Sequence, residues 1–225
     1  MKNLLLVLLV IICPLLLSAQ ENNARPGNIH GGFYLKLGPV IPVGKYANGQ
    51  TVQFNVPGHQ LPYLPAKLGA AMDMGYLIYF GPSFANKFLR AGLDATFLSA
   101  WFNSTQPPNK DNLIQKYYTY IGQKFGPVIT VNPVDRLMLD ISYKLNANFS
   151  YHEELDGWEP LSDSQTSEYG FYLLSNEVSL AIRYRIMVFS FQYNFGDMNY
   201  NNASKDNTDQ KISTNTIRIM LGVKF

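Results

Sequence analysis

From residue 137 to residue 151 the chain alternates without a break. Leu137, Leu139, Ile141, Tyr143, Leu145, Ala147, Phe149 and Tyr151 share one parity, and Met138, Asp140, Ser142, Lys144, Asn146, Asn148 and Ser150 share the other. Successive side chains of a strand point to opposite faces, so this segment has one apolar and one polar face. It is longer than the common strand of ~5–6 residues. A tilted strand that crosses a bilayer needs ~9–11. The same alternation recurs between turn-rich stretches and predicts strands at 32–42, 67–80, 88–102, 116–131, 137–151, 171–184, 186–198 and 212–225. The connections 81–87 and 132–136 and a turn near Tyr184-Arg185 are short, whereas 43–66, 103–115, 152–170 and 199–211 are long. Short and long in turn is the signature of an all-β, eight-stranded antiparallel up-and-down barrel with both termini at the short-turn rim.

Parity assigns the two faces. The apolar one carries Phe33, Leu35, Leu37, Ile41, Leu68, Met72, Met74, Ile78, Leu93, Phe97, Ile121, Phe125, Ile129, Val178, Leu180, Ile182, Phe189, Phe191, Tyr193 and Phe195. The polar one carries Lys36, Asp73, Arg90, Asp94, Lys124, Asp140, Lys144, Glu177, Arg183 and Arg218, with Thr96, Ser179, Ser190, Gln192 and Asn194. With the apolar face toward lipid, both signs of charge lie in the lumen at similar depths. Ion pairs across it are then expected, because unpaired charges in a dry interior are costly. Asp140 with Lys144, and Glu177 with Arg183, are candidate pairs for an ion-selective lining; a filled plug is the plainer expectation, since eight strands leave an interior just wide enough for side chains. Glycines 69, 75, 92, 122 and 126 share the inward parity and would make room for long cations. Trp101, Tyr117, Tyr118, Tyr120 and Tyr151 gather toward the long loops, and Tyr79, Phe80, Phe88, Tyr184 and Phe225 toward the short turns. Two such bands fit aromatic rings at the two membrane interfaces.

The last segment alternates too: Ile217, Ile219, Leu221, Val223 and Phe225 against Thr214, Thr216, Arg218, Met220, Gly222 and Lys224. A strand of this kind ending on an aromatic resembles the C-terminal strands of bacterial outer-membrane β-barrel proteins. The resemblance implies that Ile217, Ile219, Leu221, Val223 and Phe225 form a signal read by the barrel assembly machinery. At the other end Met1-Lys2-Asn3 is followed by an apolar run from Leu4 to Leu17 and by Ser18-Ala19-Gln20. The run is shorter than the ~20 residues of a spanning helix and reads as a secretory signal peptide, residues 1–19, cleaved after Ala19. The Ala-Gln junction resembles signal peptides of Bacteroidota. Cys13 is lost with the signal, and with it any disulfide or thiol chemistry of the domain at 20–225. Leu37-Gly38-Pro39-Val40 and Lys124-Phe125-Gly126-Pro127-Val128 resemble strand motifs of small Bacteroidota barrels grouped as PorT-like. In architecture the chain resembles the small OmpA- and OmpX-type barrels. Proline lacks a ladder donor, so both Gly-Pro steps are expected to be bends.

Composition narrows the function. Net charge is +2, so nothing argues for a nucleic acid or other polyanion as partner. No G-x-S-x-G, H-E-x-x-H or phosphate-binding loop is present, and no cofactor, metal or catalytic site is assigned. Ser150 and His152 share the inward parity near the long-loop rim, which leaves a lipid-modifying enzyme as a rival reading. A narrow channel and a lipocalin-like carrier, whose faces would be inverted, are two more. The expectation is a monomeric, non-enzymatic barrel in the outer membrane, with periplasmic termini, lipid around it and structural or surface-binding loops. Tyr46, Phe54 and Tyr63 in the first loop and Trp158 in the third, beside Glu153, Glu154, Asp156 and Glu159, are candidate anchors for an unknown ligand.

Overall fold

The computed structural model describes residues 30–48, 50–53, 60–63, 65–80, 89–105, 114–134, 136–156, 168–200 and 210–225. Eight strands form the barrel: β1 (Gly32–Pro42), β4 (Ala66–Tyr79), β5 (Leu89–Thr105), β6 (Ile114–Val134), β7 (Leu137–Asp156), β8 (Glu168–Tyr184), β9 (Met187–Phe195) and β12 (Thr216–Lys224). Each pairs antiparallel with its sequence neighbour in the barrel, and β1 pairs with β12, which closes the sheet. Closure leaves no sheet edge in the wall. The predicted strand 186–198 is divided at Gly196 and the predicted strand 212–225 at Thr214-Asn215, where Asn215 Oδ1 accepts from the Gly196 amide at 3.0 Å. Beyond the break β10 (Asp197–Tyr200) pairs with β11 (Gln210–Ser213) and meets β8 at Asn199↔Phe171. The first long loop holds a four-residue helix, α1 (Lys45–Asn48), and a hairpin of β2 (Gln50–Gln53) and β3 (Gln60–Tyr63), neither of them expected.

The faces follow parity. Leu37, Ile121, Phe125, Ile141, Leu180 and Phe189 are exposed on the outer wall. Lys36, Asp73, Lys124, Lys144, Glu177 and Arg218 are buried within. Pro39 and Pro127 also point outward. The ladder from β1 to β12 passes from Leu37↔Leu221 to Val40↔Arg218, whereas Pro39 stays opposite Ala70 of β4. Likewise the ladder from β6 to β7 skips Gly126 and Pro127, while Pro127 stays opposite Leu93. Each proline thus sits where a missing N–H costs one side of the ladder only.

One expected feature is overturned. Trp101, Tyr118 and Tyr120 point into the barrel, not toward lipid at the long-loop rim. For Trp101 the cause is a bulge: Thr96 faces Lys124 and Ser99 faces Gly122, so Phe97 and Leu98 together oppose Gln123. One extra residue inverts the parity of everything after it. Tyr79 also turns inward, whereas Phe80 and Tyr184 stay exposed at the short-turn end. Two of the inward glycines make room for rings. A Cβ on Gly92 would come within 2.8 Å of Tyr79 Cδ1, and one on Gly75 would collide with the Tyr34 phenol. The side chains of Tyr117 and Tyr151, and the whole of Phe88, lie outside the described residues.

The lumen as the candidate functional site

The interior is a stack of three layers. Nearest the short turns, Arg183 pairs with Asp140 through its Nε and donates from Nη2 to the other oxygen at 2.8 Å and to Tyr79 Oη at 2.8 Å. Thr130 donates to the same carboxylate at 2.6 Å, and Arg90 lies over the Tyr79 ring at 5.2 Å. In the middle layer Lys124 reaches Asp73 of β4 at 3.1 Å and Glu177 of β8 at 2.6 Å. Lys144 reaches Asp94 of β5 at 3.1 Å and the second oxygen of Glu177 at 3.0 Å. The Tyr34 hydroxyl donates to Asp94 at 2.6 Å, and Gln192 donates to Asp73 at 3.0 Å. Arg218 stands above this layer, 3.8 Å from Asp73, and bonds Ser99 at 3.3 Å. Asp73 and Glu177 thus each meet two cations, Asp73 from β6 and β12 and Glu177 from β6 and β7.

The pairing differs from the one expected along single strands. Asp140 binds Arg183, not Lys144, and Glu177 binds Lys144, not Arg183. Asp140 and Lys144, four apart on one strand, lie about 13 Å from each other, and Glu177 and Arg183, six apart, about 20 Å, too far for contact. Lys144 and Glu177 are instead direct partners across the ladder, and Arg183 stands opposite Met138, one diagonal step from Asp140.

The top layer is aromatic. The Arg218 guanidinium lies 4.0 Å from the Trp101 ring, which stacks on Tyr120 at 4.5 Å. Tyr46 of α1 drops onto this stack, with ring centroids 6.1 Å from Tyr118 and 6.4 Å from Tyr120, and is fully buried. Val40, Ala66, Ala71 and Met220 complete the cluster. Burial pushes the Tyr46 phenol well above its ordinary pKa, so it stays neutral there. Tyr46 is therefore a cap on the lumen and not a surface anchor. Its signal in the sequence is Val43-Gly44, where Gly44 takes φ +60° and turns the chain back over the mouth.

The other candidates stand as follows. On β12, Ile217, Ile219, Leu221, Val223 and Phe225 share the outer parity; the Phe225 amide donates to Phe33 O at 2.8 Å and its ring stacks on Phe33 at 6.2 Å. Backbone register puts Ser150 opposite Tyr120 and His152 opposite both Tyr118 and Glu168. The side chains at 150–156 lie outside the described ones. Phe54, Trp158 and Glu159 also fall outside them, as does the side chain of Tyr63.

No protein-family model and no curated protein matches the chain. Among solved structures it is similar to Ail, the attachment invasion locus protein of Yersinia pestis, in complex with the heparin analogue sucrose octasulfate: TM-score 0.47 and 16% identity, over 88% of this chain and 100% of that one. It is also similar to the outer membrane protein OprG of Pseudomonas aeruginosa, at TM-score 0.42 and 12% identity, over 89% of this chain and 99% of that one. The closed eight-stranded barrel is defined by its own ladder register.

Proposed function

We propose that this chain is an outer-membrane barrel with a closed lumen, whose role is structural or surface-binding and not catalytic or conductive. The observation that carries this is the filled interior. Ion pairs link β4, β5, β6, β7 and β8 across the middle, and Tyr46, Trp101 and Tyr120 seal the long-loop end. The exposed apolar outer wall supports the membrane location: an aqueous surface does not sustain so continuous a belt of Leu, Ile, Val and Phe. The same belt disfavours a lipocalin-like carrier, which would turn those residues inward. The finer reading is that residues 1–19 are an export signal, that the termini lie in the periplasm, and that the assembly machinery inserts the chain through β12. In this reading it works as a monomer of the PorT-like kind, and any surface specificity resides in the long loops. Planar-bilayer recording of the detergent-purified protein tests the closed lumen. Wild type should show no steady single-channel current. Stable ion-selective conductance, shifted in selectivity by Asp140→Asn, would make it a channel instead.

A further inference from the structure

Among the described residues two that are not glycine take a positive φ, and both are arginines at tips of short turns: Arg136 at +66° and Arg185 at +55°. L side chains other than Asn, Asp and His are uncommon in that region. A residue held there against its preference marks a place to look for function. The two tips are neighbours. The Arg185 amide donates to Arg136 O at 3.2 Å, one step beyond the register pair Leu137↔Tyr184. Two side chains as long as arginine, rooted that close together, can reach one ion. Both are exposed. They stand where the apolar wall ends: Tyr184 and Met187, just inside the tip on the outer face, are 52% and 56% exposed. Arg185 lies over the Tyr184 ring at 5.6 Å. Asp140 of β7 faces the lumen instead, where Arg183 holds it. A ring at the edge of an apolar wall, with a cation just past it, sits at the level of lipid head groups.

We propose that Arg136 and Arg185 clamp the phosphodiester of one membrane phospholipid in the leaflet at the short-turn rim, with the Tyr184 ring against the top of its acyl chains. The planar guanidinium fork matches phosphate oxygens in pairs, which an ammonium does not. The lipid and not free phosphate is the source, because the apolar wall beside the two tips takes the chains that come with it. The clamp rests on the membrane location proposed above and is independent of the closed lumen.

Glycine is the discriminating substitution, because it takes a positive φ at no steric cost. The double variant Arg136→Gly, Arg185→Gly should melt no lower than wild type in detergent. It should nevertheless hold phosphatidylglycerol about tenfold more weakly, in line with the loss of charge-assisted hydrogen bonds. Native mass spectrometry of the full barrel titrated with that lipid reads the difference. A galactosyl diacylglycerol with the same chains and no phosphate should bind wild type and variant alike, and glycerol phosphate should not displace the phospholipid. Equal retention of phosphatidylglycerol by wild type and variant, or equal retention of the two lipids by wild type, would overturn the clamp. Displacement by glycerol phosphate would overturn the lipid as its source. If the double variant does not fold, Arg185→Asn takes its place, since Asn tolerates the same φ. A wild-type chain that inserts into vesicles and fails these tests loses the clamp alone, whereas one that does not insert loses the membrane location and the clamp with it.

Discussion

Glu177 holds two lysines at once, Lys124 at 2.6 Å and Lys144 at 3.0 Å, and all three are fully buried. Its loss takes one of two acid partners from each lysine, leaving Lys124 on Asp73 and Lys144 on Asp94. Glu177→Gln should therefore destabilise the barrel by about 3–5 kcal/mol, the cost of breaking a buried pair by removing one partner. Urea unfolding in lipid vesicles measures it, and a variant within error of wild type would mean that water reaches the middle layer. On the outer wall the sign of the effect is set by lipid. Ile141→Lys or Leu180→Lys should cost about 2–4 kcal/mol at mid-depth and impair assembly. Protease resistance equal to wild type would invert the assignment of faces. The inward parity of Lys144 and Glu177 was legible in the sequence; their partnership was not. It depends on cross-strand register, which single-strand periodicity does not contain.

Alternation marked each barrel strand and placed the outer belt, but it failed at one point in β5. Phe97 and Leu98 are two apolar residues in a row, and nothing in that pair announces a bulge. The extra residue turns Trp101 from the wall into the lumen. Tyr118 and Tyr120 needed no bulge: they have the opposite parity to Ile121 and Phe125, and the apparent interface band obscured it. In a Trp158→Phe background, Trp101 fluorescence should resist quenching by lipids brominated along their acyl chains. Strong quenching would return Trp101 to the lipid face. The helix α1 was beyond periodicity altogether, because four residues make barely one turn. Tertiary packing of Tyr46 on Tyr120 is what fixes it there.

The whole molecule was legible as a barrel because closure, loop alternation and face parity all point one way, and consistency across levels of that kind specifies a fold. Its filled interior was expected from strand number; the identity of the cap was not. The ties across the lumen carry a kinetic corollary. Lys124 and Asp73 are 51 residues apart, Lys124 and Glu177 are 53, and Lys144 and Asp94 are 50. Each tie joins two strands with a third between them, so the full network needs all five strands from β4 to β8 in place. A fragment ending after β6 would keep the Lys124–Asp73 tie but, lacking Lys144 and Glu177, would lose the other three ties of the middle layer. It should neither resist protease nor migrate as a compact species in unheated gels, whereas the intact chain should unfold in one slow, concerted step with every probe coincident. Such a molecule fails by rare all-or-none unfolding and not by gradual fraying.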